Sequence, residues 1–205
     1  MILFGSPTSP FVRRVRVYCL ELGVPFTPVN VFEEAGQARL RETTPLWKVP
    51  AVVYEGGEIQ WDSTSILEHL TARHGLGALR PTVDPVHETN LHHAIAGALE
   101  SAINVFYLKR DGIDTSTIPY MVKQDQRVDA ALAWVAGQLH GDSLSPRGGF
   151  GLLELSLYAT LDWMDFRSVR PIRQSPAFAR FLDAHAGRPS LVATHPSQPF
   201  VGLER

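Results

Sequence analysis

The residue best placed for chemistry is Ser9, where a turn-rich loop runs into a helix. The apolar run 1–4 predicts a buried strand. Ser9 followed by Pro10 is typical of an N-cap and a first helical residue. Unpaired backbone N–H groups and the positive end of the helix dipole meet at such a position. A hydroxyl there predicts a site that holds an anion, although a serine that only caps the helix explains the same residues.

The helix that follows this loop has two chemically different faces. Gly23 is placed to cap its C-terminus, and Pro25 blocks its continuation. The apolar face carries Phe11, Val12, Val15, Tyr18, Cys19 and Leu22. The opposite face carries Arg13, Arg14, Arg16 and Glu21. The opening of the chain is therefore predicted to be strand, loop and helix, with Ser9 at the junction.

The first 75 or so residues predict strand, helix, strand, helix, hairpin and helix. The second strand lies within 25–31, a polar helix covers 33–43, and a hairpin with a Gly-Gly tip covers 47–61. A strand-helix-strand unit implies a parallel crossover, and the hairpin adds antiparallel strands to the same sheet. These features predict an α/β domain of thioredoxin size with a mixed sheet.

The second half of the chain predicts helices and no strands. Apolar residues recur at helical spacing from Leu91 to Phe106 and again from Met121 to Leu139, and 151–167 is densely apolar. We therefore predict three parts: a thioredoxin-like α/β domain at 1–76, a linker rich in Gly and Pro at 77–87, and an all-α helical bundle at 88–205.

Composition excludes several classes of protein. A formal net charge of −2 gives no electrostatic case for nucleic acid or an anionic membrane, and no apolar run has the length of a membrane span. The single cysteine, Cys19, excludes an internal disulfide and a cysteine-rich metal site. The histidines lack the spacing of a zinc site, so we expect no metal. A cytoplasmic protein is the expectation.

Several motifs occur in a distinctive order. The loop Ser9-Pro10-Phe11-Val12-Arg13-Arg14-Val15 comes first, then Lys48-Val49-Pro50, then Trp61-Asp62-Ser63, and then Gly151-Leu152-Leu153-Glu154 before an apolar helix. Together they resemble the soluble glutathione transferase family, of serine type and bacterial origin, over nearly the whole chain. Two positions depart from the family pattern. Gly151 replaces the usual Ser or Thr of a buried capping box, and Trp47 stands where a small residue is common.

The resemblance implies roles for particular residues. Ser9 is the catalytic hydroxyl, and the glutathione-binding set is Ser9, Phe11, Lys48, Val49, Pro50, Asp62 and Ser63. A cis Pro50 lets the backbone of Val49 pair with the peptide, whereas Asp62 and Ser63 take the ammonium and carboxylate of the γ-glutamyl end. Lys48 faces the glycyl carboxylate. An alternative explains the same residues without a ligand. In it, Asp62 and Ser63 only cap the helix, and Lys48 is a solvated surface lysine.

The implied chemistry is detoxification by conjugation, with glutathione as co-substrate. A free thiol has a pKa of about 8.5, and lowering it by about two units requires roughly 2.7 kcal/mol. A charge-assisted hydrogen bond supplies roughly 1.5–3 kcal/mol, and a helix N-terminus adds up to about 2. Ser9 and its helix therefore suffice without a general base. The thiolate then attacks a small apolar electrophile.

The sequence is less specific about the pocket for the second substrate and about alternative functions. We expect the pocket to be lined by Thr8, Glu100, Asn104 and Tyr107. A homodimer is implied by the resemblance. Two alternatives stay open: a non-catalytic glutathione-binding or protein-interaction module of the same fold, and a glutathione-dependent isomerase or dehalogenase. A protein dithiol is excluded, because positions 9 and 12 are Ser and Val.

Overall fold

A computed structural model describes residues 1–204. The strands are β1 (Ile2–Gly5), β2 (Thr27–Asn30), β3 (Ala51–Val53) and β4 (Ile59–Trp61). The helices are α1 (Pro10–Leu22), α2 (Glu34–Thr43), α3 (Ser63–His74), α4 (Pro85–Arg110), α5 (Pro119–Ala136), α6 (Leu152–Phe166), α7 (Pro176–His185) and α8 (Pro189–Ala193). Single-turn 3₁₀ helices cover Thr115–Thr117 and Ile172–Gln174.

The strands form a four-stranded mixed sheet in the order β2-β1-β3-β4. β1 pairs in parallel with β2 and antiparallel with β3, and β3 and β4 form the hairpin. This is a thioredoxin-like sheet with helices, and the helical region that follows it completes the predicted fold class. The N-terminal core includes Phe4, Val31, Leu40 and Ala51, with Val49 packed against it. The loop before α1 follows directly from β1 of this sheet.

The chain divides into two compact units, and the division differs from the predicted boundaries. One unit is 1–80 together with the C-terminal segment from His185 onward, and the other is 81–184. The C-terminal segment belongs to the α/β unit because it pairs with it directly. Phe26 and Leu203 exchange both backbone hydrogen bonds, at 3.0 and 3.1 Å. This isolated bridge lies immediately before the edge strand β2.

The charged face of α1 is buried, which the helix pattern did not predict. Arg13, Arg14 and Arg16 are only 2%, 4% and 1% exposed. The guanidinium of Arg13 donates to the carbonyl of Leu191 and the hydroxyl of Thr194. Arg16 donates to the carbonyl of Pro199 and lies over the ring of Phe200. The C-terminal segment covers this face, so a seemingly solvated arginine surface is interior.

A second contact ties the C-terminal segment to α1. Arg188 makes two hydrogen bonds of 2.7 Å to the carboxylate of Glu21, which also accepts one from the hydroxyl of Ser190. Burial alone raises the pKa of Glu21, but the hydrogen bonds from Arg188 and Ser190 and the Arg188 charge more than offset it. The pKa of this carboxyl therefore lies below its ordinary value.

This contact makes stability depend on pH. Because the folded pKa of Glu21 is below the unfolded value of about 4.3, its stabilisation is complete above that pH and is lost as the pH falls through the folded pKa. We expect the free energy of unfolding of the wild type to exceed that of Glu21→Gln at neutral pH, and the gap to shrink below about pH 4. Urea denaturation at several pH values measures it. Glu68→Gln, at an exposed position of α3, is the control, and a gap independent of pH contradicts the assignment.

The helical unit is organised around α6, which is buried along most of its length. The carboxylate of Glu154, fully buried, accepts hydrogen bonds from the backbone N–H of Gly151 (2.8 Å), the backbone N–H of Leu144 (2.9 Å) and the hydroxyl of Ser143 (3.0 Å). Gly151 is the N-cap and has no side chain to accept a hydrogen bond, so only the half of the capping box that Glu154 supplies is formed. This carboxylate fixes the preceding loop onto the start of α6.

Within residues 1–204, no helix combines the length and apolar character needed to cross a bilayer.

Candidate functional site

Ser9 lies at the N-cap of α1 in extended backbone geometry, with Pro10 as the first helical residue. Its Oγ accepts a hydrogen bond of 3.3 Å from the backbone N–H of Val12, and its own N–H donates to the carbonyl of Ser6. The side chain is half-buried. The cap predicted from the sequence is therefore present, and the residue keeps access to solvent.

The cap leaves the hydroxyl proton of Ser9 available. A serine hydroxyl has one donor and two acceptor sites, and the bond from Val12 uses one acceptor. The O–H can therefore donate to an anion while the oxygen still caps the helix. The two interpretations of Ser9 that the sequence leaves open are compatible in this geometry, because each uses a different part of the same hydroxyl.

The segment at Lys48-Val49-Pro50 leads into β3. The Val49–Pro50 peptide bond is cis, as the resemblance implies. Pro50 is buried and Val49 half-buried, while Lys48 is exposed. In the part of the chain that the structure describes, the backbone N–H and C=O of Val49 have no hydrogen-bond partner. They are the kind of free edge that an extended peptide can pair with.

Trp47, which precedes this segment, is exposed and has a positive φ of 52°. The guanidinium carbon of Arg41 lies 5.4 Å from the centre of its ring. Both side chains lie on the solvent side of the loop between α2 and β3. Trp47 thus makes a cation–π contact with Arg41 at the end of α2.

Asp62 and Ser63 begin α3. Oδ1 of Asp62 accepts from the N–H groups of Thr64 (2.7 Å) and Ser65 (3.0 Å), so the carboxylate caps the helix. The φ and ψ of Asp62 are 47° and 157°, a region that residues other than glycine rarely occupy. Such strain persists where surrounding contacts impose it, and it is common at ligand clamps. Asp62 is exposed, whereas Ser63 is only 4% exposed.

Arg14 joins this site, although its position on a helix with several arginines gave no sign of it. Its Nη1 donates a hydrogen bond of 3.1 Å to the hydroxyl of Ser63. Burial lowers the pKa of Arg14 to about 10, and the nearby Asp62 carboxylate opposes that shift. The guanidinium is therefore charged at neutral pH. Helix α1 thus contributes Ser9 at its start and Arg14 one turn later.

Cys19 is fully buried on the apolar face of α1, and burial raises the pKa of its thiol to about 12. It is a core residue, as the sequence predicts, and carries almost no thiolate at neutral pH.

We expect Cys19→Ala to leave the thiolate absorbance of bound glutathione unchanged. In the folded wild type, the thiol should react with an alkylating reagent far more slowly than in urea. Rapid alkylation of the folded protein contradicts this.

The residues predicted for the second substrate fall in different units. Thr8 lies in the loop before α1, and Glu100, Asn104 and Tyr107 lie on α4. Spacings of four and three residues put these three on one exposed strip of the helix. The strip is separate from the buried face that begins at Leu91. These four assignments stay a prediction.

A cavity of about 290 Å³ lies elsewhere in the α/β unit, between β2, α2 and the C-terminal segment. Asn30, Arg39 and Phe200 are among its lining residues, and none of the predicted site residues is. Among the described residues, no group of three or more His, Cys, Asp or Glu side chains is arranged to hold a metal ion.

The chain is similar to glutathione transferases of known sequence and structure. Residues 3–79 match the family described as glutathione S-transferase, N-terminal domain. A curated relative, the uncharacterised GST-like protein YibF of Escherichia coli, is 26% identical over 202 residues, which are 96% of this chain and 98% of that protein. The sequence match thus covers the N-terminal part of the chain, and the fold agrees with that of solved glutathione S-transferases.

Two solved structures illustrate the shared fold. A glutathione S-transferase from Methylobacterium radiotolerans, in complex with glutathione sulfonate, superposes with a TM-score of 0.81 at 22% identity, covering 100% of this chain and 98% of that one. A glutathione S-transferase from Methylobacillus flagellatus, with glutathione bound, also gives 0.81, at 23% identity, covering 95% and 98%. At this level of identity the likeness establishes the fold.

Proposed function

We propose that this protein is a glutathione S-transferase of serine type, which ionises the glutathione thiol at Ser9 and transfers the sulfur to small apolar electrophiles. The observation that carries the proposal is the Ser9 hydroxyl at the N-cap of α1. Its oxygen accepts a hydrogen bond from the backbone N–H of Val12, and its proton is free to donate to a ligand. The family match over residues 3–79 and glutathione in two solved neighbours support the choice of thiol.

The energetics of this site fit thiolate formation. The glutathione thiol, with an ordinary pKa of about 8.5, needs roughly 2.7 kcal/mol to shift by about two units. One hydrogen bond from the Ser9 hydroxyl to a thiolate contributes roughly 1.5–3 kcal/mol, and the N-terminus of α1 up to about 2. No base is needed, because the thiol proton passes to water and the site only lowers the free energy of the anion.

The remaining residues hold the tripeptide around that sulfur. The free backbone edge of Val49 pairs with the cysteinyl backbone, and Pro50 and Phe11 shape the surrounding surface. At one end, the N-terminus of α3 at Ser63 takes the γ-glutamyl carboxylate, and the exposed Asp62 carboxylate takes the ammonium. At the other end, Lys48 faces the glycyl carboxylate. Each ionised group of glutathione then faces either a side chain of opposite charge or the N-terminus of a helix.

The proposal also covers the electrophile-binding residues, the oligomeric state and the cellular location. Thr8, Glu100, Asn104 and Tyr107 contact the electrophile. The protein works as a homodimer in the cytoplasm, with glutathione as a co-substrate and without a metal. Size-exclusion chromatography coupled to light scattering measures the oligomeric state, and a panel of aryl halides, epoxides and organic hydroperoxides, each with and without glutathione, measures the reaction.

The test of the function itself combines binding with spectroscopy. The protein is applied to immobilised glutathione, eluted, and its complex with glutathione examined for the ultraviolet absorbance of a thiolate at neutral pH. Retention, a thiolate band and glutathione-dependent turnover support the transferase. Retention without the band favours the non-catalytic binding module, and turnover that regenerates glutathione favours the isomerase. Failure to bind overturns the proposal.

A further inference from the structure

Gly5, the last residue of β1, is the point where the sheet, the first turn of α1 and the C-terminal segment meet. A β-carbon at this position would lie 2.5 and 2.8 Å from the two γ-carbons of Val12 and 3.2 Å from Cζ of Phe200. These separations are shorter than the roughly 3.5–4.0 Å at which carbon atoms make favourable contact. Val12 and Phe200 therefore fill the space that a side chain on Gly5 would need.

Val12 connects this packing to Ser9. Its side chain lies at Gly5, and its backbone N–H donates the hydrogen bond of 3.3 Å to Oγ of Ser9. The N–H of Ser9 donates to the carbonyl of Ser6, the residue after Gly5. The contacts that fix the Ser9 hydroxyl therefore lead back to the strand end that Phe200 covers.

Phe200 is held in place by contacts of its own segment. The guanidinium carbon of Arg16 lies 5.1 Å from the centre of the Phe200 ring, and Nη2 of Arg16 donates to the carbonyl of Pro199. Among residues 1–204, Nε and Nη1 of the buried Arg16 have no hydrogen-bond partner, so the face of the ring compensates part of its charge. Leu203 exchanges backbone hydrogen bonds with Phe26. The ring therefore lies between two anchored residues.

We propose, resting on the function proposed above, that Phe200 is a positioning residue for thiol activation. Its ring packs beside Val12 at Gly5 and keeps the first turn of α1 in place, so that the Ser9 hydroxyl stays where the sulfur binds. Removing the ring leaves a void into which the side chain of Val12 can move, and its N–H moves with it. Phe200 should therefore affect the pKa of the bound thiol without changing how the peptide part of glutathione is held.

The test separates the thiol from the rest of the ligand. Ultraviolet titration measures the pKa of bound glutathione, and calorimetry measures the affinity for S-methylglutathione, which has no ionisable thiol. We expect Phe200→Ala to raise that pKa by about one unit, so that kcat/KM falls about tenfold at about pH 6 and recovers above about pH 8. The affinity for S-methylglutathione should stay at the wild-type value.

Two further variants are the controls. Phe200→Met keeps a long apolar side chain and should keep the pKa of the bound thiol close to its wild-type value. Leu203→Ala shortens another half-buried apolar residue of the same segment, whereas the atoms nearest to Gly5 belong to Val12 and Phe200. It should leave the pKa unchanged even if it lowers the melting temperature. Equal pKa shifts in Phe200→Ala and Leu203→Ala would overturn the inference, because they would show only that the segment must dock.

A second measurement does not depend on glutathione. Hydrogen exchange of the Val12 amide in the free protein reports on its bond to Ser9, and it should become faster in Phe200→Ala but not in Leu203→Ala. If the wild type does not bind glutathione, the proposed function fails, and this exchange still decides whether Phe200 holds the cap. Unchanged exchange of the Val12 amide, or an unshifted pKa, overturns the inference. Should Phe200→Ala fail to fold, Phe200→Leu, whose side chain is shorter than that of Phe, replaces it in both measurements.

Discussion

Replacing Ser9 by alanine is expected to lower kcat/KM for glutathione conjugation about tenfold to hundredfold at neutral pH. The substitution removes a charge-assisted hydrogen bond of roughly 1.5–3 kcal/mol to the thiolate, and each 1.36 kcal/mol or so is tenfold in rate. The pKa of bound glutathione should rise by about one to two units. Activity should therefore recover at alkaline pH, where the thiol ionises without help. Steady-state kinetics from about pH 6 to pH 9 measure both effects.

The controls separate the hydroxyl from the helix cap. Ser9→Ala also loses the bond to the Val12 N–H, which costs about 1 kcal/mol of stability. Ser9→Gly keeps an acceptable N-cap without a hydroxyl, so it should be as inactive as the alanine variant but more stable than it. Ser9→Thr retains the hydroxyl and should retain activity. Full activity in Ser9→Gly removes Ser9 from the mechanism.

Replacing Glu154 by alanine is expected to lower the free energy of unfolding by about 3–5 kcal/mol, since it removes the acceptor of three buried hydrogen bonds and each donor left unpaired costs roughly 1–3 kcal/mol. The donors at Gly151, Leu144 and Ser143 would all lose their acceptor in the interior. The loop before α6 would then no longer be fixed to it. Urea denaturation followed by circular dichroism measures the loss.

A second acidic residue on α6 is the control. Asp165 pairs with Arg173 at 3.1 Å on the surface, where a salt bridge contributes about 0–1 kcal/mol. Asp165→Asn should therefore cost less than about 1 kcal/mol. Glu154→Gln keeps one acceptor oxygen and should fall between the two. Equal losses for Glu154→Ala and Asp165→Asn would show that the buried carboxylate has no special role.

Local patterns predicted much of the α/β unit. Ser9-Pro10 starts α1, Gly23 ends it in a left-handed conformation, and the Gly56-Gly57 tip joins β3 to β4. These signals work because caps and turns depend on residues close together in the sequence. The thioredoxin-like sheet, the helical second region and the cis bond at Pro50 are confirmed.

The predictions that differ from the structure depend on contacts between distant residues. The arginine face of α1 has the pattern of a solvated surface, but the C-terminal segment returns to cover it through Leu191 and Pro199. That return moves the segment into the α/β unit. The contact between Arg14 and Ser63 spans 49 positions. Periodicity reports only the immediate environment of a helix, so neither could be found from spacing.

The most direct test of the central claim is the pKa of the glutathione sulfur bound to the unmodified protein. Ultraviolet absorbance of the thiolate is titrated against pH with glutathione saturating, using the Cys19→Ala variant to confirm that no signal comes from the protein. The site should lower this pKa by about two units from its free value of about 8.5. Tight binding with an unshifted pKa would contradict the account, because glutathione would then be held without being activated.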